Sequence, residues 1–274
     1  MPANLEFYQL LARLRRDNVP CALAIVVAVT GSTSGRLGDK ALFSPAGRRL
    51  SGWIGGGCVE RETGAAAVEA LQTGQSKKLL VDLDGEDPLY SVPCGGKMTV
   101  LVEPLPARPQ LLIIGSGRLV EVLTELGRLL DFNLAVQTDP DHQADYPAAD
   151  KVATGPLDWD SLDPRPQYVV LASHHPDEGL MVLQALQSGV PYVALVASRK
   201  RTGLVQKFLV DNGLPAEDFK RLRAPAGLDL GAADAPEIAL SILAEIVMHR
   251  RGGKAVPLSV TADQTITHRT GNVT

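Results

Sequence analysis

The second half of the chain alternates short apolar runs with helical patterns, and this alternation constrains the fold more than any other feature. The runs predict strands at 110–115, 134–139, 151–153, 168–173 and 192–197, with helices at 117–130, 177–188 and 199–212. A last helix is predicted from Pro236 to about Arg250, because isoleucines recur there at i+4 spacing. Strands that alternate with helices form a parallel sheet with helices on both faces. We therefore predict an α/β fold whose second domain is a doubly wound, Rossmann-like sheet.

A glycine turn, Gly115-Ser116-Gly117, follows the first of these strands and opens a helix. Asp139 ends the next strand, about 20 residues further on, as in dinucleotide-binding folds. There the glycines let a pyrophosphate approach the helix amides, and the carboxylate binds a ribose. Val120 departs from this pattern, because glycine or alanine usually stands at that position. The turn thus predicts the fold and leaves two alternatives, NAD(P) binding or a Rossmann domain without its ligand.

Two further segments follow predicted strands at the edge where such sheets bind ligands. In the first, His174 could bind a ligand or shuttle protons, or Ser173 or a neighbour could simply cap the next helix while the histidines are solvated. In the second, Ser198-Arg199-Lys200-Arg201 could hold an anion or be a solvated charge run.

The first half of the chain predicts a smaller domain of the α+β class. Its elements are a helix at 1–18, strands at 21–30, 40–44, 49–54, 77–83 and 97–105, and a helix at 59–71. Three prolines between 104 and 109 form a stiff connector, so we place a domain boundary near residue 107. The predicted domains are 1–106 (α+β, with cysteine and glycine loops) and 107–252 (Rossmann-like), followed by a polar tail at 253–274 that we expect to be disordered.

Two cysteines of the first half lie next to glycines. Cys58 follows three glycines and precedes a helix, where amide donors lower the pKa of a thiol. Cys94 begins Cys94-Gly95-Gly96, just before a strand. Two such loops indicate one site with candidate catalytic thiols at Cys58 and Cys94, although small cysteines also fill gaps beside glycine turns. Cys21 lies within an apolar strand and is predicted to be an inert core residue.

The thiols limit the class of ligand. Soft thiolates suit metals or a transferable sulfur, but two cysteines without an adjacent histidine pair make a poor closed zinc site. Glu60 and Glu103 are near in sequence and could act as acid or base, while a glutamate in a first helical turn also simply favours the helix dipole.

The charge balance of the chain limits the classes of binding partner that we expect. Lys and Arg total 27 against 31 Asp and Glu, a net charge of -4, so we expect no nucleic acid and no anionic membrane surface as partner. Three cysteines without a C-x-x-C pair do not predict a disulfide framework. The basic residues near the N-terminus follow the apolar positions instead of preceding them, and no run approaches the ~20 apolar residues of a membrane span. We expect a cytoplasmic protein.

Taken together, these motifs resemble the XdhC/CoxI family, including CoxF-type proteins, of maturation factors for molybdenum-containing hydroxylases. The resemblance covers nearly the whole chain. In the first half it rests on Gly31-Ser32-Thr33, the segment from Gly52 to Glu60, Cys94-Gly95-Gly96 and Val102-Glu103-Pro104. In the second half it rests on the turn at Gly115, Ser173-His174, Ser198 to Arg201, and Pro225 to Ala232 leading into Pro236-Glu237-Ile238-Ala239. Val120, and Ser173 in place of the more common threonine, depart from the family's pattern.

The resemblance implies a chaperone more than a turnover enzyme. Such a protein binds the molybdenum cofactor (molybdopterin), shields it, assists the exchange of an oxo for a sulfido ligand, and hands it to the large subunit of an apo hydroxylase. The client would be of the xanthine dehydrogenase or carbon monoxide dehydrogenase type, and the sulfur donor a protein such as a cysteine desulfurase. Independently of the resemblance, we expect a homodimer, the default for a soluble two-domain protein with aliphatic strands to cover. Cys58 is then the candidate ligand of the cofactor's molybdenum, and the loop 31–38 a candidate phosphate-side wall.

The expected cofactor-binding residues span both domains. They are Ser32, Thr33, Arg36, Gly55, Gly56, Gly57, Cys58, Glu60, Cys94, Gly95, Gly96, Glu103, Gly115, Gly117, Asp139, Ser173 and His174. The sequence leaves two other functions as alternatives. One is an NAD(P)-dependent oxidoreductase that uses the Rossmann-like domain with His174 as proton donor, and the other is an assembly scaffold that binds the client and no cofactor.

Overall fold

A computed structural model describes residues 5–83, 96–173 and 175–259. The chain forms two compact units, Met1–Arg108 and Pro109–Thr274. Cys94, Gly95, His174 and residues 260–274 of the predicted tail lie outside the described residues. In the described part of the chain, no helix combines the length and the apolar character that a membrane crossing requires.

The first unit is an antiparallel sheet with two helices. Its elements in chain order are α1 (Leu5–Arg16), β1 (Cys21–Gly31), β2 (Lys40–Phe43), β3 (Arg49–Gly52), α2 (Cys58–Thr73), β4 (Lys77–Asp82) and β5 (Gly96–Leu105). The strand order is β3-β2-β1-β5-β4, and neighbouring strands are antiparallel. Since β1 and β5 are central, their ends carry the loops on which the candidate site depends.

Alternation along the strands divides the apolar residues between the two faces of this sheet. On β5, Met98, Val100 and Val102 are buried in one cluster with the alanines of α2. On the other face, Phe7 of α1 packs against Cys21 and Leu42. Cys21 is fully buried there, as its position in an apolar strand predicts.

The second unit is a parallel sheet with helices on both faces. Its elements are β6 (Gln110–Gly115), α3 (Arg118–Leu129), β7 (Asn133–Thr138), β8 (Lys151–Thr154), β9 (Tyr168–Ala172), α4 (Glu178–Gln187), β10 (Tyr192–Leu195), α5 (Arg199–Asp211), β11 (Leu222–Arg223) and α6 (Ala235–Arg251). The strand order is β11-β10-β9-β6-β7-β8, and all neighbouring pairs are parallel. This is the strand order of dinucleotide-binding folds, and it confirms the predicted doubly wound sheet.

Both faces of this sheet are covered, so its central strands are apolar on both sides. Leu111 and Ile113 of β6 pack with α3 and α6, while Leu112 and Ile114 pack with α4 and α5. The sequence patterns missed β11 and two 3-10 turns, at Pro140–His142 and Asp218–Arg221. Each of these elements is too short to carry a periodic signal.

Candidate functional site

The end of β1 and the start of β5 bring Gly96 against the predicted loop that follows Gly31. Gly31 pairs with Gly96 at the last position of the β1–β5 ladder. A Cβ atom at Gly96 would lie 2.5 Å from the carbonyl oxygen of Ser32 and 2.6 Å from that of Thr30. Only glycine fits at this approach without a backbone shift. The loop that begins at Ser32 therefore lies against the strand that follows Cys94 by two residues.

The same loop also contacts the turn before α2. A Cβ atom at Gly55 would lie 2.9 Å from the Oγ atom of Ser34, and the Trp53 indole N–H donates to the Ser34 carbonyl at 3.4 Å. Gly35 packs against the backbone of Ile54. We call this convergence of the loop 31–38, the turn 52–58 and Gly96 the loop site.

Cys58 opens α2 at the edge of the loop site. Gly57 is the N-cap, with φ 57° and ψ -117°, and provides no side-chain cap. Within the described residues, no side chain accepts a hydrogen bond from the amides of Cys58, Val59 or Glu60, and Cys58 is a half-buried free thiol. The start of α2 therefore presents free amides beside a thiol, an arrangement that suits an anionic or metal-bearing ligand.

Glu60 forms an ion pair that the sequence did not predict. The Nε atom of Arg49 donates to the Oε2 atom of Glu60 at 3.0 Å, and Nη1 donates to the carbonyl of Gly52 at 2.6 Å. The guanidinium also lies 5.4 Å from the centre of the Trp53 ring. Arg49 thus ties β3 to the first turn of α2 and supports the turn that carries Cys58.

Loop 31–38 is held in shape by its own hydrogen bonds. The Thr33 hydroxyl donates to the carbonyl of Gly35 at 2.7 Å, and the Arg36 amide donates to the buried carboxylate of Asp39 at 2.9 Å. In the described ranges, neither the Ser32 hydroxyl nor the Arg36 guanidinium makes a hydrogen bond, and both residues are exposed. These groups remain available to a ligand.

Glu103 lies apart from the loop site. It pairs with Leu23 on β1, while Gly96 pairs with Gly31. Seven residues along a strand separate Glu103 from Gly96, a distance of about 23 Å.

The described residues contain no cluster of three or more His, Cys, Asp or Glu side chains that could hold a metal ion.

In the second unit, the glycine turn lies where the strand order reverses. Gly115 pairs with Ala172 of β9, and a Cβ atom at Gly115 would lie 2.7 Å from the Ala172 carbonyl carbon and 3.2 Å from the Ser173 amide nitrogen. The structure therefore brings Gly115 and Ser173 together at the point where such folds bind ligands.

The turn is closed by the protein itself. The Gly117 amide donates to the hydroxyl of Tyr146 at 3.0 Å, and Tyr146 is buried. Val120 is fully buried in the core on one face of the sheet. An amide that would face a pyrophosphate thus already has an acceptor.

The remaining predicted residues of this unit have local partners. Asp139 is exposed and precedes the 3-10 turn at Pro140–His142, whose His142 amide donates to its carbonyl at 3.0 Å. The Ser173 hydroxyl accepts from the His175 amide at 3.3 Å. It does not cap α4, whose N-cap is Asp177. The predicted residues thus form two sets, one in each unit.

Comparison with known proteins gives two family matches. Residues 14–84 match the model described as the XdhC and CoxI family, and residues 111–246 match the model described as the XdhC Rossmann domain. Together they span about three quarters of the chain.

Two curated relatives come from Escherichia coli (strain K12). The chain is 31% identical to the uncharacterized protein YqeB, over 86% of this chain and 44% of YqeB, so it spans less than half of that relative. It is 27% identical to the molybdenum cofactor insertion chaperone PaoD, over 86% of each protein.

A solved structure, described as a xanthine dehydrogenase from Bacillus halodurans, aligns with 97% of this chain at 19% identity and a TM-score of 0.47. The fold assignment rests on the strand order of this chain and on the family matches. Both halves of the chain match models of one family, and the chain belongs to the XdhC and CoxI family.

Proposed function

We propose that the chain is a maturation factor that binds the molybdenum cofactor at the loop site and delivers it to an apo molybdenum hydroxylase. The observation that carries this proposal is the open start of α2, where the Cys58 thiol and free amides follow a turn that packs against the loop 31–38 through Gly55 and Ser34. The relative PaoD, a molybdenum cofactor insertion chaperone, supports the same assignment.

The chemistry of the donor set fits this cargo. The molybdenum cofactor carries a phosphate and a sulfur-rich metal centre, so it needs donors for an anion and a soft ligand for the metal. The hydroxyl of Ser32 and the guanidinium of Arg36 are available donors, and Cys58 supplies a thiol. Thr33, Gly55, Gly56, Gly57 and Gly96 shape the backbone around them, and Glu60 holds the start of α2 through Arg49. Cys94 and Gly95 remain part of the proposed site from their place in the sequence.

We assign Cys58 a second role, in the sulfuration of the cofactor. The Cys58 thiolate would attack the outer sulfur of a persulfide on a donor protein such as a cysteine desulfurase. The donor's S–S bond breaks, its cysteine leaves as a thiolate, and Cys58 then carries the sulfur destined for the cofactor. A half-buried thiol beside free amides suits this step, because the helix start stabilises negative charge.

The partners follow from the cargo. We propose that the chain acts in the cytoplasm as a homodimer and contacts the large subunit of a hydroxylase of the xanthine dehydrogenase or carbon monoxide dehydrogenase type. An NAD(P)-dependent oxidoreductase is less well supported, because Tyr146 already accepts the Gly117 amide at the dinucleotide turn.

The experiment is to measure molybdenum and oxidised pterin in protein purified anaerobically from a cofactor-producing host. Wild type is compared with Cys58→Ala, with Cys94→Ala and with protein from a cofactor-deficient host. We expect near-stoichiometric loading that at least one cysteine variant loses, and Cys21→Ser serves as a thiol control that keeps it. Wild type without cargo in the producing host would overturn the proposal. Client activation that survives both cysteine variants would instead favour a scaffold that binds no cofactor.

A further inference from the structure

A cleft of about 550 Å³ opens in the second unit, beyond the carboxyl end of β10. Its walls are the connection from β10 to α5, the segment 225–232 and the buried side of α6. Ligands of open parallel sheets bind outside the carboxyl ends of the strands, and this volume lies in the range of small-molecule sites. The glycine turn at Gly115 does not line it.

The walls of the cleft are fixed by hydrogen bonds. The Ala226 amide donates to the carbonyl of Leu195 at 2.9 Å, and the Gly227 amide donates to the carboxylate of Glu245 at 2.8 Å. Gly227 has φ 97°, and a Cβ atom there would collide with the Oγ atom of Ser241. The segment 225–232 is thus anchored to β10 and to α6, and the cleft is preformed.

The guanidinium of Arg201 lies at one end of the cleft and is fixed by hydrogen bonds. Arg201 donates from Nε and Nη2 to the carboxylate of Glu178, which is buried, and from Nη2 to the carbonyl of Ser173. Within the described residues Nη1 makes no hydrogen bond, so two N–H donors of a fixed Arg201 remain for a ligand. Ser198 lines the same wall; its hydroxyl oxygen accepts the Arg201 amide at 3.3 Å as the N-cap of α5, and its O–H remains a donor for a ligand.

The side chains of the other walls are apolar except for one carboxylate and the hydroxyl of Ser241, which donates to the Ile238 carbonyl at 2.8 Å. Leu228, Leu230 and Ile238 line them, with Asp229 exposed between the two leucines. A carboxylate at such an edge accepts hydrogen bonds from ribose hydroxyls in related folds. The cleft therefore offers a cation for a phosphate, a carboxylate for a sugar and an apolar surface for a flat ring.

We propose that this cleft binds a ribonucleoside 5′-monophosphate, with the phosphate at Arg201 and Ser198, the ribose at Asp229 and the base against the apolar wall. A doubly wound fold consists of two mononucleotide-binding halves, and β9, β10 and β11 belong to the second half. In the first half, Tyr146 already accepts the Gly117 amide. A single nucleotide in the second half thus fits the structure better than a dinucleotide across both. This site does not depend on the cargo proposed for the first unit.

The test is isothermal titration calorimetry of the full chain with each of the four ribonucleoside 5′-monophosphates, with their nucleosides and with inorganic phosphate. We expect at least one nucleotide to bind, its nucleoside to bind about tenfold more weakly or worse, and inorganic phosphate not to replace it. Leu230→Ser and Asp229→Asn should each weaken binding several-fold. Leu204→Ser is the matched control, because Leu204 on α5 is 63% exposed, Leu230 is 55% exposed, and Leu204 does not line the cleft.

Arg201→Gln should abolish nucleotide binding, and its thermal unfolding is recorded because it leaves Glu178 without its ion pair. Should Arg201→Gln unfold, the variants Leu230→Ser and Asp229→Asn, at exposed residues, test the proposal instead. Failure of all four nucleotides to bind at millimolar concentration would overturn the proposal, as would binding that Leu230→Ser and Asp229→Asn leave unchanged. Binding that Tyr146→Phe strengthens would overturn it too, since the nucleotide would then lie at the Gly115 turn.

Discussion

Each of the two units contains a glycine turn that leads into a helix, and the two turns differ in whether the protein accepts the amide of the N-cap glycine. Gly57 and Gly117 are both N-caps with positive φ, and neither provides a side-chain cap. In the second unit the hydroxyl of Tyr146 accepts the Gly117 amide. In the first unit, across the described residues, no group accepts the equivalent amide of Gly57, and a thiol follows the glycine.

The difference shows that a glycine turn before a helix creates the opportunity for an anion site without deciding its use. The amides at a helix start need acceptors, which come from the protein, from water or from a ligand. Tyr146 lies 29 residues from Gly117 in the chain and fills this role for the Gly117 amide, whereas within the described residues no side chain accepts the amides of Arg118 or Leu119. The first unit leaves the Gly57 amide to a ligand, and this contrast, together with the Cys58 thiol, supports the proposed function.

The largest expected effect is the difference in reactivity between two cysteines. Iodoacetamide should modify Cys58 in the native protein and leave Cys21 unmodified, because Cys58 is half-exposed at the open turn and Cys21 is fully buried. Burial also raises the pKa of the Cys21 thiol, which reduces its thiolate further. Peptide mass spectrometry measures both sites, with urea-unfolded protein as the control in which both react. Protection of native Cys58 would break the contrast between the turns.

Substitution of Gly115 and of Gly117 by alanine should lower the free energy of unfolding by different amounts. Gly115→Ala places a methyl group against the backbone of β9 and should cost about 3 kcal/mol of unfolding free energy. Gly117→Ala meets open space and should cost less, about 2 kcal/mol, because φ 88° with ψ -172° lies in a region that is essentially restricted to glycine. Urea unfolding of the two variants, followed by circular dichroism, gives the comparison. Equal costs would show that close packing does not explain Gly115.

In the first unit, the same distinction applies to Gly96 and Gly57. Gly96→Ala should destabilise this unit as strongly as Gly115→Ala does the other, because its Cβ atom would meet two carbonyl oxygens. Gly57→Ala meets open space and should cost about 1 to 2 kcal/mol through φ and ψ alone. Cargo loading measured on these variants separates lost folding from lost binding, since Gly57→Ala should stay folded.

Tyr146→Phe opens the closed turn. It leaves the Gly117 amide without its acceptor and should lower stability by about 1 kcal/mol. Hydrogen exchange at the Gly117 amide should accelerate. Tyr8→Phe, at a tyrosine that is half exposed on α1, is the control and should change neither quantity. Unchanged exchange in Tyr146→Phe would mean that this bond does not close the turn.

The smallest effect concerns His142, next to the loop of Asp139. The protonated ring of His142 donates from Nδ1 to the Asp145 carboxylate at 2.8 Å, and this bond raises the pKa of His142 above its usual value of 6.5. Because the pKa is higher in the folded state, the stabilisation is complete below the unfolded pKa and is lost as the pH rises through the folded value. An NMR titration of His142 in wild type and Asp145→Asn checks this, and a pKa that does not fall in the variant would contradict it.

Much of the fold could be predicted from the sequence, because periodicity reports local structure directly. The apolar runs of β6, β7 and β9 and the helix of Ile238, Ile242 and Ile246 lie within a residue or two of their predicted places. The two-residue strand β11 was missed, because its residues take strand conformation only through pairing with β10.

The candidate site was predicted less completely, because its contacts depend on residues distant in sequence. The approach of Gly96 to Ser32, the ion pair of Arg49 with Glu60 and the bond from Gly117 to Tyr146 have no local signal. Glu103 shows the converse, since it is near Gly96 in sequence and lies at the far end of the same strand. A short interval in sequence is a long distance along an extended strand.

The most direct test of the central claim uses the two tryptophans, one in each unit. Trp53 borders the loop site, whereas Trp159 is 9% exposed in the second unit. Molybdenum cofactor is titrated anaerobically into Trp159→Phe, which retains Trp53, and into Trp53→Phe, which retains Trp159. We expect that emission of Trp53 is quenched in a saturable way that Cys58→Ala weakens, while emission of Trp159 does not change. Quenching of Trp159 with Trp53 unaffected would place the cargo in the second unit and overturn the assignment of the loop site.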